Sequence, residues 1–181
     1  MSFSELIRGA LVYIMAPRRA KEVRLMAQKL RPWLLSVALA LAVGGLAAAL
    51  TQDSMNIYGS LRLPPLAPPS FLFPIVWTLL YTLMGVSAAA IWQQTDPRRG
   101  PALTVYGLQL AANFLWSLIF FNAMALGWAF IWLLGLWALI LLMIARFTAI
   151  LPWAGYLQIP YLLWVSFAGY LNLGIFLLNR A

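Results

Sequence analysis

The most informative stretch of this chain is residues 61–85, LRLPPLAPPSFLFPIVWTLLYTLMG. It begins with a proline-rich segment and continues as an uncharged apolar run that carries Trp77 and Tyr81 four residues apart. Proline fixes the backbone dihedral φ, so the first part predicts an ordered loop. Residues at i and i+4 share a helix face, so the loop leads into a helix with two aromatic rings on one side. This arrangement suggests a site for a flat, hydrophobic molecule.

The composition is that of an integral membrane protein. The chain has 181 residues, of which 64% are hydrophobic and 9% are charged, and its mean hydropathy is +0.88. A soluble domain of this size carries far more polar surface. Cysteine and histidine are both absent. Their absence excludes disulfides, thiolate nucleophiles, the usual zinc ligand sets and ligation of haem iron by Cys or His.

Five stretches are long and apolar enough to cross a bilayer core, which needs about 20 residues per helix. They are residues 33–50, 72–92, 102–121, 126–147 and 152–178. The short connections between them predict an up-and-down arrangement of sequential neighbours. Long continuous apolar runs also lack the alternation of a membrane β-barrel. The predicted fold class is therefore an all-α membrane protein, a bundle of five transmembrane helices.

The distribution of basic residues predicts the orientation of the chain. Ten of the 12 Lys and Arg residues precede the first span, follow the second or lie near the end of the fourth. Only Arg62 and Arg180 fall on the other side. The positive-inside rule then places the N-terminus in the cytoplasm and the proline-rich loop and C-terminus outside. In a bacterial host, we expect the protein in the cytoplasmic membrane.

Residues 1–31 form a basic extension in front of the membrane domain, residues 32–181. Apolar residues in the first half of the extension follow helical spacing. Pro17 is predicted to interrupt this helix before a basic run begins. Two interpretations stay open: an interfacial helix that binds anionic lipid headgroups, or a basic tail that only sets the topology.

The interior of the predicted spans contains no acidic residue. Ion-coupled transporters and proton relays usually show buried ionisable groups. Their absence from the predicted spans disfavours a proton-driven pump or antiporter. It equally disfavours general acid–base catalysis within the bilayer, so we predict neither catalytic residues nor metal ligands.

Aromatic and amide side chains instead form one face on each of three spans. These faces carry Trp77, Tyr81 and Met84 in the second span, Asn113, Trp116 and Phe120 in the third, and Tyr161, Trp164, Ala168 and Asn172 in the fifth. Together they would hold a planar ligand by stacking and orient it by hydrogen bonds. Packing between helices is the alternative for each residue, and a neighbouring helix is the alternative partner for the Asn113 amide.

Two further features concern the helices themselves. Pro160 removes a backbone hydrogen bond and predicts a kink in the fifth span. Ala40, Gly44 and Ala48 form a stripe of small residues on the first span. Such a stripe predicts close helix packing, either within the bundle or between subunits.

Three segments of the chain resemble the TspO/translocator protein family in their order and spacing. They are PPLAPPSFLFPIVWTLLYTLMG from Pro64, NFLWSLIFF from Asn113 and PYLLWVSFAGYLN from Pro160, within a match over residues 33–179. The resemblance implies a five-helix bundle, usually a homodimer, that binds porphyrins and cholesterol-like or drug ligands in a pocket roofed by the first loop. By motif position it also implies the pocket-lining residues, which are Trp77, Tyr81, Asn113, Trp116, Trp164 and Ala168.

The chain departs from the family pattern in two places. A tryptophan commonly follows the double proline of the first loop, whereas Ser70 and Phe71 occupy that region here. This difference bears on ligand affinity and on any tryptophan-dependent photochemistry. The C-terminal sterol pattern of apolar, Tyr and basic residues is not met, because Tyr170 is ten positions from Arg180. We therefore predict no sterol site.

The expected function is binding of tetrapyrroles as a sensor, scavenger or regulator. No cofactor is required, and a bound porphyrin would be free-base rather than ligated haem. The expected partners are the lipid bilayer, a hydrophobic small molecule and a second copy of the chain, without nucleic acid. Three alternatives stay open: a facilitative carrier of amphipathic molecules, an enzyme that degrades porphyrin with light and oxygen, and an assembly partner without a small ligand.

Overall fold

A computed structural model describes residues 3–54 and 58–180, with side chains described at residue 24 and from residue 26 onward. These ranges contain helices and no strand. The helices are α1 (Phe3–Thr51), α2 (Leu72–Trp92), α3 (Arg99–Ser117), α4 (Leu126–Thr148), α5 (Pro152–Tyr156) and α6 (Ile159–Asn179).

The five predicted spans are confirmed, with boundaries that differ by a few residues. The apolar helical segments long enough to cross a membrane run over Met26–Thr51, Leu72–Trp92, Arg99–Asn122, Leu126–Thr148 and Pro152–Asn179. The third span is α3 extended by one π-helical turn, Leu118–Asn122. The described part of the chain is therefore a bundle of five membrane-crossing segments.

The first helix continues through Pro17, so the predicted interruption at that residue was wrong. A proline removes one hydrogen bond from a helix. The bonds of the turns on either side are enough to hold the helical path here. The boundary between residues 1–31 and 32–181 falls inside α1 and stays a prediction. The side chains of residues 3–23, on which the two interpretations of the extension depend, lie outside the described part.

Pro160 disturbs the fifth span by a helix break instead of a kink. The short helix α5 ends at Tyr156, and Pro160 stands in the first turn of α6. In a first turn, the N–H that proline lacks would have no intrahelical acceptor. The Gln158 side chain, at the break, donates to the backbone carbonyl of Leu83 at 3.3 Å. That bond ties the break to α2.

Helices α1 and α2 approach each other closely because of small residues. A Cβ atom at Gly85 would lie 2.5 Å from the Cα atom of Val37. Ala40 is fully buried, and Gly44 lies directly against the ring of Tyr81. At Ala40 and Gly44, the small-residue stripe therefore packs within the bundle, which is one of the two predicted alternatives.

The proline-rich loop is bound to α6 by side chains of that helix. The Tyr170 hydroxyl donates to the carbonyl of Pro65 at 2.8 Å. The Asn179 amide accepts from the Arg62 N–H at 3.0 Å and donates to the Arg62 carbonyl at 2.9 Å. These three hydrogen bonds add a tertiary restraint to the stiffness of the prolines, and they fix the loop at one end of the bundle.

Replacing Gly85 with Ala should destabilise the bundle, because the new methyl group must push α1 away from α2. Overpacking of this kind typically costs about 1–3 kcal/mol. The measurement is the midpoint of thermal unfolding in detergent, followed by tryptophan fluorescence. Gly45→Ala is the matched control, since a Cβ there meets nothing within 4 Å. Equal midpoints for the two variants would contradict the close contact.

Candidate ligand cavity

A cavity of about 480 Å³ lies between α1, α2 and α3, at the end of the bundle that carries the proline-rich loop. Helix α1 contributes mainly small side chains to its lining. The larger side chains are Phe71 of the proline-rich loop, Phe73, Trp77 and Tyr81 of α2, Trp116 of α3 and Phe121 of the π-helical turn. The volume lies within the range of about 300–1,000 Å³ that is typical of small-molecule sites.

Aromatic rings form most of the wall that α2 and α3 give to this cavity. Trp77 and Tyr81 lie 5.5 Å apart between ring centroids, with 33° between their planes. Trp116 stacks on Phe120 at 5.3 Å. Both pairs arise from helical spacing of four residues, as the sequence predicted. On the α1 side, Gly44 leaves room for the Tyr81 ring, which a Cβ atom at that position would overlap.

Behind the wall, two amides of α3 form hydrogen bonds to tyrosines of neighbouring helices. The Asn113 side chain is 1% exposed, and its Nδ2 atom donates to the Tyr81 hydroxyl at 3.0 Å. Gln109 is fully buried, and its Oε1 atom accepts from the Tyr161 hydroxyl at 2.9 Å. An unpaired amide is costly in an apolar interior. These bonds therefore fix α2, α3 and α6 against one another.

Trp116 extends this pairing toward the loop end of the bundle. Its indole N–H donates to the Oδ1 atom of Asn172 at 3.4 Å. Asn172 donates in turn to the backbone carbonyl of Leu126 at 2.9 Å. Trp116 is thus held by α6 while its ring borders the cavity. This bond fixes the orientation of one of the predicted stacking residues.

The fifth-span face does not reach this cavity. Trp164 packs edge-to-face on Phe73, with ring centroids 6.1 Å apart, and only Phe73 of that pair is part of the lining. Ala168 packs against the buried core, and Asn113 lies behind Tyr81. Ligand contact by Asn113, Trp164 and Ala168 stays a prediction. The lining includes three of the predicted site residues: Trp77, Tyr81 and Trp116.

Gln109 was not singled out from the sequence, although a signal for it existed. It precedes Asn113 by four residues and therefore shares its helix face. A second amide in the middle of an apolar span is unusual enough to predict a buried hydrogen bond. The aromatic residues on which the predicted site was based come later in the third span, after Gln109.

The fold and the cavity together define a class: five-helix integral membrane proteins with an aromatic cavity beside a proline-rich loop. The chain belongs to the TspO/MBR family, whose sequence model matches residues 36–178. This match covers most of the chain and includes all of the residues that line the cavity.

Individual relatives support this assignment. The chain is 35% identical to tryptophan-rich protein TspO of Chlorobaculum tepidum over 150 residues, or 80% of this chain and 94% of the relative. It is 34% identical to protein CrtK of Rhodobacter capsulatus, over 67% of this chain and 78% of that protein. It is also 34% identical to the translocator protein of Bos taurus, over 78% of this chain and 88% of the relative.

Removing the Tyr161 hydroxyl should lower the free energy of unfolding by about 1 kcal/mol, because the buried Gln109 oxygen then lacks a donor. The change is Tyr161→Phe, and the measurement is unfolding in mixed micelles with increasing dodecyl sulfate. Tyr156→Phe is the control, since Tyr156 is 58% exposed. A loss of the same size in both variants would contradict a specific role for the Tyr161–Gln109 bond.

Proposed function

We propose that this protein binds porphyrins and other flat, hydrophobic molecules in the cavity between α1, α2 and α3, and acts as a sensor, scavenger or regulator of tetrapyrroles. The observation that carries the proposal is the aromatic lining, in which Trp77 and Tyr81 lie 5.5 Å apart and Trp116 borders the same space. A relative that is 35% identical bears the name tryptophan-rich sensory protein, in Cereibacter sphaeroides.

The chemistry of the lining suits a planar aromatic ligand. Aromatic faces stack on the rings of Trp and Tyr, and each such pair adds about 0.5–1.5 kcal/mol beyond area burial. The indole N–H of Trp77 has no hydrogen-bond partner within the described part of the chain and is available to a ligand acceptor. Because the sequence has neither His nor Cys, we expect free-base porphyrin to bind in preference to ligated haem.

A buried acceptor lies one side chain behind the wall. The Oδ1 atom of Asn113 is buried and has no hydrogen-bond partner among the described residues. Leaving such an atom unpaired costs about 1–3 kcal/mol. Movement of the Tyr81 ring would allow a ligand N–H to reach it, and the pyrrole N–H groups of a free-base porphyrin are donors of this kind. This support is independent of the stacking argument.

We also propose a homodimer, which the family resemblance implies. The outer surface of α3 and α4 carries a groove with small residues, Ala112 and Gly135, beside the exposed Trp128. Small residues let helices of two subunits approach closely in a membrane. Light scattering in detergent, corrected for bound detergent, should give twice the 20.2 kDa of one chain. A monomer at all protein concentrations would overturn this proposal.

Filling the cavity should weaken porphyrin binding. In wild-type protein we expect protoporphyrin IX to quench tryptophan fluorescence saturably in detergent. Ala48→Phe should lower the affinity about tenfold or more, which corresponds to about 1.4 kcal/mol, because Ala48 lines the cavity. The matched control is Ala49→Phe, an exposed neighbour outside the lining. Linear quenching, or equal affinities in all three proteins, would contradict the proposed site.

The same preparation separates the alternatives. Illumination in air followed by an absorption spectrum tests the enzyme, which must produce a modified tetrapyrrole. Release of porphyrin from loaded vesicles that contain the protein tests the carrier. An assembly partner would bind no porphyrin at all. Saturable binding with an unchanged absorption spectrum after illumination and no release of porphyrin would favour the role of sensor, scavenger or regulator over the three alternatives.

A further inference from the structure

A second opening lies in the same cleft, toward the other end of the bundle. Like the ligand cavity it is bounded by α1, α2 and α3, and its volume is about 600 Å³. It lies near the start of the first span, the end of α2 and the start of α3. We call it the basic-end groove, and its lining includes Gln28, Arg31, Leu35, Leu39, Tyr106 and Gly107. The contacts of Gly44 with Tyr81 and of Gly85 with Val37 separate it from the ligand cavity.

The walls of the basic-end groove are mainly aliphatic and face the bilayer. Leu35 and Leu39 of α1 line it and are 59% and 58% exposed. Leu103 and Leu110 of α3 line the opposite side. A groove whose leucines are this accessible opens sideways into hydrocarbon. Such a shape suits an acyl chain that enters from the membrane.

Positive charge lies at the mouth of the groove. Gln28 and Arg31 line its outer end, and the guanidinium of Arg31 has no hydrogen-bond or ion-pair partner within the described part of the chain. The acid of the α2–α3 loop is paired with another arginine. Asp96 is bound to Arg98 at 2.6 Å, and this bond lowers the pKa of the Asp96 carboxyl to about 2. Among the described residues, Arg31 is therefore a cation without an acidic partner, and an anionic headgroup could pair with it.

A tyrosine ring forms part of the groove wall. Tyr106 lines the groove and is 6% exposed. Its hydroxyl is buried and makes no hydrogen bond to any described residue. A buried hydroxyl left in this state is unfavourable. Because this hydroxyl has almost no accessible surface, a lipid in the groove would meet the Tyr106 ring and not its oxygen.

We propose that the basic-end groove binds one anionic phospholipid. Its acyl chain lies along Leu35 and Leu39, and its phosphate binds Arg31 and Gln28. Basic pockets between transmembrane helices are known to bind anionic headgroups. The aliphatic walls and lateral opening favour a lipid here over the planar ligand proposed for the other cavity. The proposal therefore does not depend on porphyrin binding.

The experiment is native mass spectrometry of the full chain, released from detergent in the presence of phosphatidylglycerol or phosphatidylcholine with identical acyl chains. We expect one phosphatidylglycerol per chain, retained about fivefold or more over phosphatidylcholine. Arg31→Gln should lower phosphatidylglycerol binding about fivefold, as expected for one basic residue at a membrane surface, and leave phosphatidylcholine unchanged. Arg24→Gln removes the same charge outside the lining and is the matched control.

A second variant tests the groove itself. A Cβ at Gly107 meets nothing within 4 Å, so Gly107→Phe should fill the groove without disturbing the bundle and should abolish specific lipid retention. Gly45→Phe, at another open glycine outside the groove, should retain it. Equal losses for Arg31→Gln and Arg24→Gln, equal retention of the two lipids, or retention in Gly107→Phe would overturn the proposal. Displacement of the lipid by protoporphyrin would overturn it as well.

Discussion

Two amides buried in the middle of α3 constrain the rest of this structure. Gln109 and Asn113 lie where neither water nor lipid can satisfy them, so each must find a partner on another helix. Tyr161 of α6 and Tyr81 of α2 supply those partners at 2.9 and 3.0 Å. These two bonds hold α2 and α6 against the middle of α3. The aromatic residues that follow on the same faces are placed by this arrangement.

Helix α1 packs differently, because none of its described residues is a buried amide. It approaches α2 through small residues, at Gly44 against Tyr81 and at Val37 against Gly85. These contacts close the middle of the cleft beside α3 and leave an opening at each end. The two openings differ in character, since one has aromatic walls at the loop end and the other has mainly aliphatic walls, with Arg31 at its mouth. These two contacts thus separate two openings of different chemical character.

The fifth span influences the loop end without lining the cavity. Tyr170 and Asn179 hold the backbone of Pro65 and Arg62, and Pro64 packs against Gly174, where a Cβ would lie 2.7 Å away. Proline stiffness alone would restrain the shape of the loop and not its position. The bonds from α6 supply the position. The end of α6 therefore helps to determine where the loop lies at the cavity end of the bundle.

The class of fold and the local helix faces follow from the amino-acid sequence alone. Apolar runs of about 20 residues require membrane-crossing helices because the bilayer leaves backbone groups no other partner. Helical spacing alone put Trp77 beside Tyr81 and Trp116 near Phe120. Which helix faces pack against each other follows from the tertiary structure and not from the spacing. Trp164 has the right spacing but packs on Phe73, and Pro17 leaves α1 continuous. Residue spacing determines only the direction of each side chain around its own helix axis. A cavity depends on the distances and rotations between helix axes. Those are set by the buried amides and by glycines, through contacts between residues far apart in the chain.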